Sequence, residues 1–271
     1  MTILPGTVSG VGSSSEYVFG DTDAAARRLD MVAEHWASPS TEFLRADVPS
    51  GPRLALDLGC GPGHTTRLVA AVTGATKTVG LDTSEAYLAR ARAGAPERVE
   101  FVHHDVMELP LPNAPADLVY GRLLLSHIPR PDRVVRAWMS QLAPGGVLAL
   151  DEVSWISTSE PALSRYLEML EDLLAVRGSA LAAGPIVDGL DGGTDGRKRS
   201  SVERIHPVPA AVAAEMFTLN LVTWREEPYV RDAHSREELD DLDAQLREIT
   251  RRPGRATITW GMRQVTFEVT G

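Results

Sequence analysis

The most informative stretch of this chain is Leu54-Ala55-Leu56-Asp57-Leu58-Gly59-Cys60-Gly61-Pro62-Gly63-His64-Thr65-Thr66. Its alternating leucines predict a strand buried on both faces, and its three glycines predict a sharp turn before a helix that begins near His64. Glycine has no Cβ, so the backbone of such a turn can come close to a ligand. The free N–H groups at the start of the helix add a partial positive charge. We expect a nucleotide-type ligand here; the alternative is a turn of purely structural use.

Two kinds of nucleotide site share a turn of this type. The dinucleotide fingerprint places a third glycine where this chain has His64, and Asp57 inside the strand suits a cationic ligand better than a pyrophosphate. The run from Asp57 to Gly63 resembles the first motif of the class I methyltransferases that use S-adenosylmethionine. The resemblance implies that cofactor as the ligand and assigns contacts with it to Asp57, Gly59, Cys60, Gly61, Gly63 and Thr65.

The composition is ordinary for a soluble globular protein, with 43% hydrophobic and 24% charged residues among 271. One large domain with insertions is expected. No apolar run approaches the roughly 20 residues that span a bilayer, and the chain start lacks the pattern of a secretory signal. Cys60, the single cysteine, suits a reducing cytoplasm and is interpreted as a small turn residue rather than a nucleophile.

The formal net charge of −10 argues against a nucleic-acid partner, because neutralising phosphates needs a basic face. No membrane partner is expected either. No group of His, Cys, Asp and Glu at tight metal-ligand spacing appears in the sequence, so no metal is expected. The predicted location is the cytoplasm, and a homodimer is left open.

Acidic residues end the next two predicted strands as well. Thr78–Asp82 is predicted as the second strand and Val99–Val106 as the third. A carboxylate at the end of the second strand can accept from both hydroxyls of a ribose, so Asp82 is the expected ribose ligand. The resemblance implies that Asp105 accepts from the adenine amino group. It also assigns cofactor contacts to Thr83, His104 and Val106.

The fourth predicted strand, Ala116–Arg122, is followed by a segment that resembles the one beside the methionine part of the cofactor in this family. The resemblance therefore brings Arg122 and His127 near the reacting methyl group. His127 is a candidate general base, and a buried structural histidine is the alternative.

The fifth predicted strand, Val147–Val153, carries Glu152 and is followed by Trp155. Ligands of open parallel sheets lie outside the carboxyl ends of the strands, so both residues are expected in or near the acceptor cavity. Glu152 is interpreted as a base, an orienting hydrogen-bond acceptor or a surface acid. These three alternatives stay open.

The N-terminal segment is predicted to be a helical lid over the cofactor cleft. A helix capped by Asp23 presents an apolar face up to Trp36, and a second, short helix is expected at about 41–47. Tyr17 and Phe19 lie just before the first helix and are candidates for contact with substrate, with Tyr17 as a third possible base. A hydrophobic staple for the helix is the alternative role of this pair.

The segment after the fifth strand is predicted to form a helical cap over the acceptor. A helix at 159–177 carries Tyr166, a loop follows at 184–201, and a short helix is expected at 209–218. Tyr166 and His206 are candidate substrate contacts in this cap. Leu221–Val230 is predicted as the sixth strand, and the last strand lies near the chain end.

Together these patterns predict an α/β, Rossmann-like fold with helices on both faces of a seven-stranded sheet. The strand order 3-2-1-4-5-7-6 is implied by the resemblance. The expected divisions are a tail and lid at 1–49, a cofactor-binding core at 50–155, an acceptor cap at 156–220, and the last strands and helix at 221–271.

The predicted function is transfer of the methyl group of S-adenosylmethionine to a small, largely apolar and aromatic acceptor by in-line displacement. The methylated atom (carbon, nitrogen or oxygen) is not specified by these patterns. The protein would mainly align the reactants, and a base is needed only where the acceptor must lose a proton. The alternatives are a non-catalytic module that binds the cofactor or its demethylated product, and a methyltransferase acting on tRNA or protein.

Overall fold

A computed structural model describes residues 20–193, 196–252, 254 and 256–270 of the chain. The strands form one sheet, in the order β3-β2-β1-β4-β5-β7-β6, which confirms the predicted topology. Strands β1 to β5 pair in parallel, and β7 pairs antiparallel with both β5 and β6. The strands are β1 (Leu54–Leu58), β2 (Lys77–Asp82), β3 (Val99–His103), β4 (Ala116–Arg122), β5 (Leu142–Thr158), β6 (Gly196–Pro209) and β7 (Thr257–Val269).

Helices cover both faces of the sheet, as predicted. Phe43 and Val69 pack on one face beside Leu118, whereas Val135 and Trp138 pack on the other. The helices are α1 (Asp23–Asp47), α2 (His64–Thr73), α3 (Glu85–Arg92), α4 (Pro131–Met139), α5 (Pro161–Val176), α6 (Gly184–Asp188), α7 (Ala210–Trp224), α8 (Pro228–Ala233) and α9 (Arg236–Arg251), with a 3₁₀ turn at Leu125–His127. Within the described ranges, no helix has the length and apolar character needed to cross a bilayer.

A further hydrophobic core lies where β5 and β7 extend together beyond their parallel neighbours. Strand β5 pairs with β7 as far as Thr158 and Ile258. Helices α5, α7 and α9 pack there through Tyr166, Trp224 and Leu242, and Trp36 of α1 joins the same core. This arrangement sets helical layers over the carboxyl ends of the central strands.

The predicted position of the sixth strand is wrong. Leu221–Val230 spans the end of α7 and the start of α8, whereas β6 is Gly196–Pro209. The β-branched and aromatic residues Val222, Thr223 and Trp224 favour a strand by propensity, but the preceding alanine-rich run favours helix. Strand β6 lies at the sheet edge and is largely polar, so it lacks the apolar alternation that marks a half-buried strand. The predicted loop at 184–201 therefore includes the first part of this strand, residues 196–201.

Helix α1 is continuous from Asp23 to Asp47, although a break was predicted at Pro39. Proline has no N–H to donate to the carbonyl four residues earlier, which belongs to His35. The carbonyl of His35 therefore lacks its usual helical partner, yet the helix continues beyond Pro39 with Ser40, Phe43 and Leu44 buried. The N-cap of α1 is Thr22 and not Asp23.

Candidate active site

A cavity of about 800 Å³ opens at the carboxyl ends of the central strands, between the glycine turn and the helices α1, α5 and α7. All the predicted cofactor-binding residues line it except Asp57 and Gly63. Those that line it are Gly59, Cys60, Gly61, Thr65, Asp82, Thr83, His104, Asp105, Val106, Arg122 and His127. The sequence motifs therefore converge on one cavity.

The glycine turn is shaped by close contact with the segment after β4. Gly59 has φ +63°, and a Cβ placed on it would lie 2.6 Å from Cδ1 of Leu124. Any other residue here would meet both backbone strain and a clash. The turn can consequently offer its backbone to a ligand at short range.

Asp82 ties this turn to the end of β2. Its Oδ2 accepts a hydrogen bond from the Gly61 N–H at 2.8 Å, and its Oδ1 accepts from the Ser84 N–H at 2.8 Å. Burial raises the pKa of this carboxyl, while the backbone donors of Ser84 and Gly61 oppose the rise. Each carboxylate oxygen keeps a further lone pair, so the pair of oxygens could still accept from a vicinal diol.

Asp57 lies beneath the turn and not in the cavity wall. Its Oδ2 accepts hydrogen bonds from the hydroxyls of Thr65 and Thr66, each at 2.6 Å, and burial raises its pKa to about 6. It therefore fixes the first turn of α2, and the predicted contact with the cofactor would have to act through this turn rather than through the cavity wall. Gly63 is likewise outside the wall and is the N-cap of α2, with φ +86°.

Two residues after β3, Asp105 and Val106, are held by hydrogen bonds at the other side of the cavity. Asp105 accepts from the Met107 N–H through Oδ1 at 2.9 Å. The backbone carbonyl of Val106 accepts from the indole N–H of Trp138 at 2.8 Å, which fixes the turn from beneath. Both residues line the cavity and could contact a planar base.

The far part of the cavity, which we call the acceptor end, is mostly apolar. Its wall comes from α1, α5, α7, β7 and the 3₁₀ turn. It includes the apolar residues Trp36, Leu167, Leu170, Met216, Phe217 and Trp260, and the polar residues Arg28, His127, Arg177 and Asn220. Apolar walls with a few polar groups are typical of small-molecule sites.

His127 is a poor proton acceptor in this position. Burial lowers its pKa to about 3, and the positive charges of Arg28 and Arg177 lower it further in the same direction. At neutral pH the imidazole is therefore uncharged, and its unprotonated nitrogen binds a further proton only weakly. It lines the cavity as predicted, but its environment does not favour the expected base role.

Glu152 is buried and does not line the cavity. Its Oε1 accepts hydrogen bonds from the backbone N–H groups of Leu124 at 2.9 Å and Leu125 at 3.1 Å. Burial raises its pKa to about 8, while these two donors oppose the rise. The carboxyl positions the turn that carries His127, and this geometry does not fit the expected role as base.

Three predicted substrate contacts lie away from the cavity wall. The indole of Trp155 covers Gly261 of β7 and is 36% exposed. Tyr166 is fully buried and stacks on Phe217, with ring centroids 4.0 Å apart. The ring of His206 packs at a tilt of 56° against Trp36, with ring centroids 4.9 Å apart. Tyr166 and His206 thus support residues that do line the cavity. Tyr17 and Phe19 lie outside the described residues.

Several residues of the acceptor end were not predicted from the sequence. Arg28 stands on the apolar face of α1, four residues before Val32 and eight before Trp36, and a charge in such a stripe is the signal that could have identified it. Asn220 occupies the buried face of α7 between Phe217 and Trp224. It was missed because that segment was predicted to end the cap and begin a strand.

Comparison with known proteins agrees with these observations. A family model described as a methyltransferase domain matches residues 55–146. A trans-aconitate 2-methyltransferase of Yersinia pseudotuberculosis serotype O:1b is 31% identical over 182 residues, which cover 65% of this chain and 70% of that protein. A protein of the same name from Methylobacterium radiotolerans is 42% identical over 112 residues, 41% of this chain and 42% of its own. The chain thus matches less than half the length of this second relative.

Solved structures share the fold at low sequence identity. A candidate methyltransferase of Bacillus halodurans C-125 has a TM-score of 0.59 at 18% identity, and the match covers 86% of this chain and 100% of that one. Coclaurine N-methyltransferase, solved with N-methylheliamine and S-adenosylhomocysteine, has a TM-score of 0.52 at 16% identity over 94% of this chain and 77% of that one. The predicted family and cofactor are confirmed, and the chain belongs to the class I methyltransferases that use S-adenosylmethionine.

Proposed function

We propose that this chain transfers the methyl group of S-adenosylmethionine to a small, largely apolar organic acceptor, with an aromatic body as the best fit. The observation that carries the proposal is the continuity of one cavity. The same cavity is lined by Gly59, Asp82 and Asp105 at one end and by Trp36 and Phe217 at the other. Its volume of about 800 Å³ is within the range of sites for small ligands.

The residues of the near end suit the cofactor by their chemistry. The turn at Gly59 has no room for a Cβ and offers backbone groups, Asp82 keeps acceptor lone pairs for a diol, and Asp105 can accept from an amino group. The sulfonium of the bound cofactor supplies an activated methyl group and a neutral leaving group. The chain then has to hold the acceptor in line with the methyl group and exclude water.

Helix α1 is suited to exclude water, as a lid would. It runs along the cavity and contributes Arg28, Leu29, Val32 and Trp36 to the wall. Its N-terminal end is tied to the ribose side, because the Tyr87 hydroxyl donates to the Gly20 carbonyl at 2.7 Å and the Ser84 hydroxyl donates to Asp21 at 2.8 Å. A covered cavity of this kind favours a small acceptor over tRNA or a folded protein.

The names of the relatives support the small-molecule class. The curated relatives are named for trans-aconitate, and the structural neighbour coclaurine N-methyltransferase was solved with N-methylheliamine. Both are small organic molecules, one anionic and one aromatic. The class of acceptor is therefore shared while the chemical group differs between these proteins.

The test is the rate of S-adenosylhomocysteine formation with a panel of phenols, indoles, amines and carboxylates. We expect at least one class of small acceptor to raise the rate well above that of cofactor and protein alone. Tight binding of S-adenosylhomocysteine without turnover on any small molecule would contradict the proposal and favour a non-catalytic binding module. Turnover on tRNA or protein alone would contradict it in favour of a macromolecular acceptor.

A further inference from the structure

The acceptor end of the cavity carries positive charge deep in an apolar wall. Arg28 is only 8% exposed, and Arg177 lines the same region at the end of α5. Arg177 also pairs with Glu227 at 2.6 Å, but Glu227 is not part of the wall. The acids that line the described cavity are Asp21, Asp82 and Asp105, and they belong to the end with the glycine turn.

The same end lacks a group suited to take a proton, as far as the described residues go. His127 lines the same end as Arg28 and Arg177, and burial together with the charges of these two arginines lowers the pKa of its imidazole. Glu152 is outside the wall, and its Oε1 is engaged by the N–H groups of Leu124 and Leu125. An acceptor that must lose a proton during transfer, such as an alcohol or phenol, has no suitable base among the described residues that line this end.

We propose that the acceptor presents a carboxylate that enters the site already ionised, and that Arg28 and Arg177 select it by charge. The inference rests on the proposed function and makes the two arginines specificity-determining residues of that site. Guanidinium groups bind carboxylates through paired hydrogen bonds, and such bonds are strongest where water is excluded. The buried position of Arg28 meets that condition.

The transfer then balances without a base. A lone pair of the carboxylate oxygen forms the new bond to the methyl carbon, and the bond from that carbon to sulfur breaks with its electrons remaining on sulfur. The anion and the sulfonium give a neutral methyl ester and a neutral thioether, and no proton is released. His127 would serve as a neutral hydrogen-bonding group beside the acceptor, which its environment favours.

Two further polar atoms restrict the rest of the acceptor. Oδ1 of Asn220, a residue 6% exposed, and the indole N–H of Trp36 have no hydrogen-bond partner among the described residues, and both residues line the cavity. The Trp36 N–H can donate to a carboxylate oxygen or a carbonyl. Oδ1 of Asn220 can accept from an O–H or N–H elsewhere on the acceptor. A ligand that forms hydrogen bonds with such buried polar atoms binds more tightly than one that leaves them unpaired.

The experiment is calorimetry on the full chain saturated with S-adenosylhomocysteine. The probes are trans-cinnamate, phenylacetate and trans-aconitate, each beside its uncharged amide of the same shape. We expect at least one carboxylate to bind about tenfold or more tightly than its amide, since a charge-assisted bond is lost in the amide. In Arg28→Gln that preference should shrink by about tenfold.

Arg27→Gln is the matched control, because Arg27 follows the same helix but pairs with Glu215 at the exposed surface. It should keep the preference of the wild type. Arg28→Lys and Arg177→Gln provide second variants if Arg28→Gln does not fold, and each should retain only part of the preference. Equal affinity for acids and amides, or an unchanged preference in folded variants of both arginines, would overturn the proposal.

A turnover assay separates this proposal from the function it rests on. Methyl esters as the products would support it, whereas methylated phenols or amines with no ester formed would overturn it and leave the methyltransferase function intact. If both this proposal and the proposed function are wrong, the chain will bind S-adenosylhomocysteine but methylate no small molecule of any class.

Discussion

The carboxylate of Glu152 accepts a hydrogen bond from the backbone N–H of Leu124 at 2.9 Å. Leu124 in turn lies against Gly59, where a Cβ would come within 2.6 Å of its Cδ1. Strand β5, the segment after β4 and the glycine turn are therefore linked through Glu152 and Leu124. This contact makes a buried acid part of the scaffold of the cavity.

Glu152→Gln should leave turnover within a few-fold of the wild type. The amide carbonyl of Gln can still accept from Leu124 and Leu125, so the turn is kept. Removal of a true base usually lowers the rate by about 10²- to 10⁴-fold. Glu152→Leu should instead lower the free energy of unfolding by roughly 1–3 kcal/mol for each buried N–H left without a partner. Steady-state kinetics beside urea unfolding tests both; a hundredfold loss in a folded Glu152→Gln would restore the base role.

Stability should fall as pH rises toward 8, and Glu152→Gln should remove that fall. Burial raises the pKa of Glu152 from 4.5 to about 8, so the folded state holds a proton that the unfolded state releases. The contribution of Glu152 to the free energy of unfolding is complete below its pKa in the unfolded state. It is lost as pH rises through its pKa in the folded state, by up to about 1.4 kcal/mol per pH unit.

Comparison of the wild type with Glu152→Gln between about pH 6.5 and 8 isolates this group, because Asp57, Asp151 and His127, whose pKa values are also shifted, contribute equally to both proteins. Urea unfolding at several pH values in this window is the measurement. Equal slopes in the wild type and Glu152→Gln would show that Glu152 does not titrate there.

Gly59→Ala should weaken cofactor binding far more than Gly74→Ala. Both glycines have positive φ, +63° and +70°, so both substitutions add backbone strain of about 1 kcal/mol. Only at Gly59 does the new Cβ meet another side chain, that of Leu124; nothing lies within 4 Å at Gly74. Calorimetry with S-adenosylhomocysteine should show a loss for Gly59→Ala and none for Gly74→Ala. Equal affinities of the two variants would contradict the shape assigned to the turn.

Asp82→Ala should lower the affinity for S-adenosylhomocysteine at least about tenfold, because charge-assisted hydrogen bonds contribute about 1.5–3 kcal/mol each. Asp117→Ala is the control: Asp117 accepts from the Leu54 N–H at 2.9 Å and does not line the cavity. It should lose stability and keep the affinity. Undiminished binding by a folded Asp82→Ala would refute the ribose assignment.

Hydrogen exchange in the first half of α1 should slow when S-adenosylhomocysteine binds. This part of α1 lines the cavity, and its N-terminal end is bonded to Tyr87 and Ser84 beside the predicted ribose site. Ligand contacts would add to those bonds and reduce local opening. Amides of α9, which does not line the cavity, serve as the internal control. Identical exchange of α1 with and without the ligand would leave it a fixed wall rather than a lid.

The part of the site that sequence predicts well is the part built from strand ends. Asp82 and Asp105 follow buried strands, and parallel strands bring their carboxyl ends to one edge, so proximity follows from spacing alone. Asp57 obeys the same pattern yet lies beneath the turn, because two threonine hydroxyls of α2 reach its carboxylate. The spacing of residues in the sequence predicts that such a side chain lies near a strand end, but it does not predict its hydrogen-bond partners.

The acceptor end could not be predicted in the same way, since it depends on packing between distant helices. Arg28, Arg177 and Asn220 come from three helical regions that meet only through the extended β5–β7 ladder and its helices. Trp155 was expected in or near the acceptor cavity, but it does not line the cavity. It follows a strand's central part, but β5 continues past it to Thr158, so its ring packs on Gly261 of β7.

The destination of an isotopically labelled methyl group shows whether the chain methylates a small molecule. The chain is incubated with S-adenosylmethionine carrying a trideuterated methyl group, a mixture of small carboxylates, phenols and amines, and separate samples of tRNA and protein. Mass spectrometry then locates the label. We predict label in a small organic product, formed in equal amount to S-adenosylhomocysteine. Label found only in tRNA or protein, or no label transferred by a chain that binds the cofactor, would contradict the proposal that the chain methylates a small organic acceptor.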